Sequence, residues 1–492
     1  MSLLKLIWPG LKNFQYISPK GITNGIDLVN KSIALAQQLR DHNILPQRSV
    51  IAFTEDGDNL ATMLIAIWLT GAIAIPLSPH TPEQDIKTIV EDTNTQIIVC
   101  NSDHDSKPCV AECDLISLEH LVWDENPDTD MVAESSSEER IALILFSSGT
   151  TGKRKGVALS HGAISRNIKK VSKLCGFCAT DVFFTLKNIH HVSTIVGELL
   201  SCIYVGATFY MPNPQCGLGN MAKQIIKVKP TRLFGNPYIL SQLCMYLTKN
   251  KTKLSSMRGV YSAGARLNGD QAEFLSEYFK PSIVYNCYGM TEAGPRVTMY
   301  PQGGKYGYGC AGWPLPGIEV KIFNAEFTNN FNIGEIGVKT PCIMSGYVTA
   351  GDILMPSTVD GFFLTGDMGY IDNGKLYVLG RIDEIINVAG NKVNPCFVEE
   401  RLRDNLGIMD CIVFGVTDNQ LGNRLVCLIQ TNYELHIHEI LQRCTERLYT
   451  YEMPREWYSC TTLPLSQNAK KQRKLLAKQY ASGIFDYKRL LY

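Results

Sequence analysis

The run SVIAFTEDGDNLATMLIAIWLTGAIAIPL, Ser49 to Leu77, sets the strongest limit on the fold. A short β-branched apolar stretch gives way to a polar turn, then to an apolar stretch of helical length, then past Thr70-Gly71 to a second short apolar run. Strand, buried helix and strand in that order form a βαβ crossover, which demands a parallel sheet with helices on its faces. The surrounding sequence extends the pattern. Residues 24 to 41, NGIDLVNKSIALAQQLRD, have apolar residues at helical spacing, and AESSSEER, Ala133 to Arg140, is a polar connection into a strand at Ile141 to Phe146. A second α/β block runs on to about Thr291, with HGAISRNIKKVSKLCG as a helix and DVFFTL, ATFYM and SIVYNCYG as strands.

Beyond it the pattern changes. GEIGVKTPCIMSGYV and GFFLTGDMGYIDNGKLYVLGR are short β-runs broken by Gly and Asn-Gly, the mark of a small antiparallel sheet or distorted barrel. From Asp383 the chain returns to compact α/β, with FVEERLRDN and HEILQRCTERL as helices and CIVFGVTD and RLVCLIQT as strands. The boundary is therefore expected near Arg381 to Asp383, giving domains of residues 1–381 and 382–492. A chain of 492 residues is long enough for each to bury a core.

Equal numbers of acidic and basic side chains, 47 of each, remove the electrostatic footprint of a nucleic-acid binder. The N-terminal MSLLKLIWPGLKNF is interrupted by Lys5 and Pro9, so neither a signal peptide nor a membrane span is expected and a cytoplasmic location follows by default. The 16 cysteines are scattered, and the one C-x-x-C, Cys175 to Cys178, lacks a second pair to complete a zinc site; core thiols are expected.

The stretch LILFSSGTTGKRKGV, Leu143 to Val157, puts a Gly-rich loop with three cations behind a strand, the physical recipe for holding a polyphosphate on converging backbone N–H groups. It departs from G-x-x-x-x-G-K-[ST]: counted from Gly149, Arg154 stands where the second glycine belongs, and no hydroxyl follows Lys155. A P-loop ATPase is thereby disfavoured.

Four separated motifs sharpen this. They are SSGTTGKRKGV at Ser147, YNCYGMTEAG at Tyr285, LTGDMGYIDNGKLYVLGRIDEIINVAGNKVNP at Leu364 and LPLSQNAKKQRKLL at Leu463. Weaker ones lie between them, GAIAIPLSPHTPEQ, YSAGARL and GEIGVKTPCIMSGY. In this order the chain resembles, from about residue 24 onward, the adenylate-forming superfamily: acyl- and aryl-CoA synthetases, nonribosomal peptide synthetase adenylation domains and luciferases. The resemblance implies an α/β fold with a large N-terminal domain of two flavodoxin-like α/β subdomains plus a small distorted β-barrel, then a small mobile α+β C-terminal domain.

It also implies roles. Ser147, Ser148, Gly149, Thr150, Thr151, Gly152 and Lys155 would handle the β- and γ-phosphates of ATP; Glu292 would ligate Mg2+ and Thr291 would contact the α-phosphate. Tyr288, Gly264 and Ala265 would face adenine, Asn286 and Gly289 would be further ATP- or AMP-binding residues, and Asp367 with Arg381 would bind the ribose. Lys470 would bridge the carboxylate and α-phosphate, Asp383 would be the hinge, and Gly390 would leave room for a pantetheine arm. Taken singly, Asp367 is a turn acid, Tyr288 a core aromatic and Lys470 one cation in the exposed run KKQRK. Two residues depart from the family pattern: Arg154 replaces a proline and Ala469 a glycine.

A carboxylate is a poor acyl donor, so such enzymes attach it to the α-phosphate of ATP, expel pyrophosphate and pass the acyl group to a thiol. His190, His191, Asn236, Tyr238, Ala293 and Gly294 are the pocket candidates, with His191 also a candidate to gate the pocket or bond the substrate. No Asp stands where amino-acid-activating members place one, and Glu198 is the available substitute, so a fatty, aryl or other acid without an α-ammonium is favoured. With no carrier domain expected after Leu476, the acceptor is expected to be CoA or the phosphopantetheine of a separate carrier protein. A stand-alone amino-acid-adenylating enzyme, a luciferase-type oxidative enzyme and a noncatalytic nucleotide-binding homologue are the other readings.

Overall fold

The computed structural model describes residues 2–102, 113–121, 137–148, 154–213, 216–301, 309–328, 331–406, 408, 410–431, 437–445, 448–466 and 471–490. The chain divides into two compact units, Met1–Val320 with Val338–Phe363, and Lys321–Gly337 with Leu364–Tyr492.

In the first unit, the run that opened the sequence reading is a βαβ crossover. Strand Ser49–Phe53 pairs in parallel with Ile73–Leu77, in register from Ser49 opposite Ile73 to Phe53 opposite Leu77. Helix Gly57–Leu69 between them is buried along almost its whole length, and its Trp68 indole donates to the Ala142 carbonyl at 2.7 Å, tying the helix to the next strand. The parallel strands lie in the order Asp114–Ser117, Ile97–Cys100, Ser49–Phe53, Ile73–Leu77, Ile141–Ser148. Arg154–Ser160 then folds back antiparallel on the last of these.

The second sheet of this unit orders its parallel strands Gln15–Ser18, Thr208–Tyr210, Val182–Thr185, Arg232–Gly235, Gly259–Ala263, Ile283–Tyr288. The five strands after residue 181 are wound 2-1-3-4-5 in chain order, the flavodoxin winding, and Gln15–Ser18 adds to their edge. Rings at neighbouring positions stack across it, Phe183 on Phe234, Phe234 on Tyr261 and Tyr261 on Tyr285, with centroids 5.2, 4.8 and 5.1 Å apart. Thr298–Pro301 and Cys310–Pro314 continue the sheet antiparallel.

The β-runs beyond residue 319 separate. Gly346–Thr349 does not join the small sheet expected for GEIGVKTPCIMSGYV; it pairs with Arg154–Ser160 and extends the first α/β sheet. Glu319–Thr328, Phe331–Lys339, Phe363–Asp372 and Lys375–Arg381 are hydrogen-bonded neighbours in that order. The last two are joined at Asn373-Gly374, whose φ values of 48° and 76° suit the primed turn that Asn-Gly favours. Tyr370 stacks between Phe331 and Tyr377 there, at 4.2 and 4.6 Å. These contacts carry Leu364 to Arg381 into the second unit, so the compact division falls earlier in the chain than the boundary placed at Arg381 from sequence.

The second unit also holds the sheet Asp410–Asp418, Gly422–Gln430, Glu456–Cys460, Lys488–Arg489. Alternate residues feed two cores: Val413, Leu425, Cys427 and Trp457 on one face, Ile412, Phe414, Val426 and Tyr458 on the other. Among the described residues, no helix is long and apolar enough to cross a membrane.

Candidate active site

In the first unit the functional loops leave the carboxyl ends of parallel strands, where open α/β sheets place ligands. Strand Ile141–Ser148 runs into the phosphate motif and Arg154–Ser160 brings the chain back, with Ser147 opposite Lys155 and Ser148 opposite Arg154. Gly149, Thr150, Thr151 and Gly152, and the side chains of Ser147 and Ser148, lie outside the described residues. Arg154 is anchored: its Nε donates to Asp85 Oδ2 at 2.8 Å, across to helix Glu83–Thr93.

Strands Gly259–Ala263 and Ile283–Tyr288 end side by side, Ala263 opposite Cys287, and deliver the SAGARL and YGMTEAG loops together. Gly264 has φ of 89° and a Cβ added to it would meet nothing within 4 Å, an open cradle beside half-buried Tyr288 and Ala265. At Gly289 a Cβ would stand 1.8 Å from the Pro295 carbonyl oxygen, so only glycine permits the loop to close on itself. Asn286 is nearly buried and its amide donates to the Cys310 carbonyl at 2.8 Å, which ties the strand end in place.

Thr291 to Ala293 form a single 3₁₀ turn, and the Glu292 carbonyl accepts from the Met344 N–H at 2.8 Å. Tyr347, on the strand that joined the first sheet, donates its hydroxyl to Glu292 Oε1 at 3.0 Å, while Lys155 Nζ sits 5.2 Å from the centre of the same ring. A phosphate-loop cation, an aromatic hydroxyl and a carboxylate from three distant segments thus converge. Tyr347 ends the motif GEIGVKTPCIMSGY and is not among the residues expected at the site; its place in that motif is its one signal in the sequence. The described residues include no group of three or more His, Cys, Asp or Glu side chains fit to hold a metal. A single carboxylate beside a phosphate loop fits Mg2+, which binds one or two carboxylates and takes its remaining ligands from phosphates and water.

The acyl-side candidates fall into two groups. His190 is held at both ring nitrogens, Nε2 2.7 Å from the Thr54 carbonyl and Nδ1 2.9 Å from Asn188 Oδ1; burial, partly offset by the Glu55 carboxylate, pulls its pKa below the usual value. Asn236 caps helix Pro237–Lys249, its Oδ1 accepting from the Ile239 N–H at 2.9 Å, and Tyr238 is an exposed residue of the first turn. Ala293 is fully buried and Gly294, at φ 67°, packs on the Cys342 carbonyl.

His191 belongs to a buried chain. Its Nδ1 is 2.8 Å from Ser193 Oγ, Lys187 Nζ donates to that oxygen at 2.7 Å, and Lys187 is ion-paired with fully buried Glu198. Burial, only partly offset by Glu198, holds the Lys187 ammonium below the usual lysine value. Glu198 is therefore committed to a cation of the protein, and is not a free partner for a substrate ammonium.

In the second unit Asp367 and Arg381 are cross-strand partners, Nη1 3.4 Å from Oδ1, and Arg381 also donates to the Thr365 carbonyl at 2.9 Å. Burial lowers the Arg381 pKa, but the Asp367 and Asp383 carboxylates outweigh it and leave the guanidinium more basic than usual. Asp383 accepts from Arg381 Nε at 3.3 Å and from Lys474 Nζ at 3.0 Å, joining the strand before it to the terminal helix Arg473–Ala481. Gly390, φ 86°, is at the exposed tip of the hairpin Ile386–Val388 and Asn391–Val393, with open space where a Cβ would be.

Lys470 lies outside the described residues. Lys474 is exposed, as expected of that run, but Lys471 and Arg473 are not: Lys471 bonds Glu399 at 3.0 Å and Asp410 at 2.8 Å, and Arg473 bonds Glu384 and Glu399 at 3.1 and 2.9 Å, both cations largely buried. The run looked solvated because its neutralising carboxylates come from segments far away in the chain.

Residues 26–348 match the AMP-binding enzyme family and residues 398–470 the AMP-binding enzyme C-terminal domain. The chain belongs to the AMP-binding enzyme family. It is 26% identical over 460 residues to a 2-succinylbenzoate–CoA ligase of Bacillus cereus, covering 92% of each chain, and 25% identical over 462 residues to a malonate–CoA ligase of Arabidopsis thaliana, covering 84% of this chain and 75% of that one. In fold it matches the crystal structure of the anthranilate CoA ligase AuaEII in complex with anthranoyl-AMP, with a TM-score of 0.83 at 19% identity over 98% of both chains. These relatives are acid–thiol ligases by name, and the large and small α/β domains of this AMP-binding enzyme are theirs.

Proposed function

We propose that this chain is an ATP-dependent acid–thiol ligase that converts a carboxylic acid without an α-ammonium into an acyl-adenylate, releasing pyrophosphate, and then passes the acyl group to a thiol. The observation that carries this reading is the convergence of Lys155, Tyr347 and Glu292 at the carboxyl ends of two parallel sheets. Adenylation gathers negative charge on the α-phosphorus and on departing pyrophosphate. Lys155 supplies one cation, and the segment Gly149-Thr150-Thr151-Gly152 would supply backbone and hydroxyl donors to the phosphates. Magnesium, when bound, adds positive charge across the phosphate oxygens. Glu292 is the ligand this chain offers it, held in orientation by the Tyr347 hydroxyl. Tyr288 and the Gly264–Ala265 turn flank adenine, and Asp367 with Arg381 takes the ribose hydroxyls. Thr291 contacts the α-phosphate, and Lys470 neutralises the attacking carboxylate beside it.

The thioester half needs other groups at the same carbonyl. Asp383 is the pivot, and Gly390 opens the path for a pantetheine arm of CoA or of a separate carrier protein. The commitment of Glu198 to Lys187 argues against an amino acid as substrate, because a buried ammonium would find no free carboxylate there.

The test is pyrophosphate release from ATP with a panel of carboxylic acids, followed by thioester assay with CoA and with holo-carrier protein. Acid-dependent release that falls by about 10²-fold or more in Lys470→Ala and Glu292→Gln supports the reading. No release with any acid class, or release without thioester on either acceptor, contradicts it.

A further inference from the structure

Arg296 is 2% exposed, and none of its three guanidinium nitrogens has a hydrogen-bond partner among the described residues. Its faces are covered by the rings of Phe234 and Tyr261, 5.9 and 5.5 Å away, and Gly197 packs against its Nε side, where an added Cβ would lie 3.5 Å off. Ring faces attract the cation but accept no hydrogen bonds along the guanidinium edge, where all five N–H donors lie. The Glu198 carboxylate acts on it, but Lys187 is ion-paired with the same carboxylate, so among the described residues two cations face one anion and one positive charge is left over.

Its place in the fold is specific. The Arg296 Cα is 3.0 Å from where a Gly289 Cβ would be, and the Val297 N–H donates to the Tyr288 carbonyl at 3.0 Å, so the arginine lies directly beneath the loop that carries Thr291 and Glu292. On its other side the helix is widened into a π-turn at Ile195–Leu199, and it is the backbone of this turn, at Gly197, that meets the guanidinium. A π-turn breaks the regular helical ladder and recurs at functional sites. A buried cation with an unmet edge, set between a π-turn and the activation loop, is a receptor for an anion.

We infer that Arg296 binds a second acidic group on the carboxylic acid being activated, so that the substrates of this chain are dicarboxylic acids rather than neutral fatty or aryl acids. The carboxylate to be activated stays at the Thr291 loop, and the other end of the molecule reaches the guanidinium edge. This inference rests on the acid–thiol ligase reading and names the substrate class within it. Arg296 acts here as a specificity-determining residue; it takes no part in the bond changes.

The experiment compares kcat/KM for pyrophosphate release by the full chain across straight-chain diacids from propanedioate to decanedioate, each matched with the monoacid of equal length, together with phthalate and benzoate. Wild type is expected to favour the best diacid over its monoacid by about 10²-fold or more, as a site built to bond a polar group discriminates. Arg296→Met is expected to reverse the preference, and Arg296→Lys to retain part of it because the charge remains but the fork is lost. A wild-type preference for monoacids overturns the inference and leaves the ligase reading standing; it needs no variant to fold. An Arg296→Met protein that melts cooperatively yet keeps the wild-type ratio overturns it as well. If neither series supports release, the ligase reading falls and this inference falls with it.

Discussion

Two buried cation clusters, one in each unit, have opposite bookkeeping. In the second unit Lys471 and Arg473 meet Glu399, Glu384 and Asp410 within 3.1 Å, and Glu399 also accepts from the Val413 N–H at 2.8 Å. Burial lowers the Lys471 pKa, but Asp410 and Glu399 more than reverse it. In the first unit Arg296 has rings on its faces and, among the described residues, no hydrogen-bond acceptor at its edge. A buried charge whose partners all come from the chain itself fixes architecture. A buried charge without them is left for something the chain must collect.

The comparison breaks most visibly at Glu399. Glu399→Gln leaves Lys471 and Arg473 short of a carboxylate and is expected to cost about 3–5 kcal/mol of stability, read by urea denaturation. A cost below about 1 kcal/mol would mean that the cluster is not structural. By contrast Arg296→Met removes a charge that makes no hydrogen bond among the described residues and only shares the Glu198 carboxylate with Lys187, and its stability is expected to equal or exceed that of wild type.

A buried group escapes the dilemma if it stays neutral. His161 is fully buried, with the Trp68 ring against it, and its pKa is pushed down to about 4, chiefly by burial and further by Arg140. Its native value lies below the usual 6.5, so between those values the unfolded chain binds a proton that the native one refuses. Stability from this site is complete above pH 6.5 and declines as pH falls toward 4, by about 2 kcal/mol at pH 5. Denaturation at pH 7.5 and 5 checks this; His161→Phe is expected to flatten that part of the slope, and an unchanged slope would assign it elsewhere.

Smaller effects separate the half-exposed phosphate end from both clusters. Tyr347→Phe removes one hydrogen bond to Glu292, about 1 kcal/mol, and is expected to slow pyrophosphate release about fivefold, mainly at low magnesium. A loss that magnesium does not alter would dissociate Tyr347 from the metal ligand. Arg154→Ala breaks a pair that is 36% exposed on each side and is expected to change stability by less than about 1 kcal/mol and the rate by less than about fivefold, whereas Lys155→Ala lowers the rate by about 10². Equal losses from both would make Arg154 part of the phosphate site.

The local chemistry was legible in the sequence where neighbours in the chain are neighbours in space. The Ser49 to Leu77 crossover, the Asn373-Gly374 turn and the YGMTEAG loop are of this kind. Tyr347 was not, because the short run that bears it carries no mark of which sheet it joins, and its partner Glu292 is reached only through that pairing. Lys471 and Arg473 read as solvated because composition gives no hint of Glu399 and Asp410 folding onto them. Arg296 left one trace, a lone cation in the apolar stretch AGPRVTMY. The local bonds of Asn236 and His190, to the Ile239 N–H and the Thr54 carbonyl, are of the kind a polar side chain at a helix start or beside a carbonyl makes.

The central claim is that the carboxylate attacks the α-phosphorus of ATP, and labelled oxygen follows that bond directly. With an acid carrying heavy oxygen in both carboxylate positions, turnover to thioester is predicted to place one labelled oxygen in AMP and none in pyrophosphate. Label appearing in inorganic phosphate, with ADP as the nucleotide product, would put the attack at the γ-phosphorus and contradict the account.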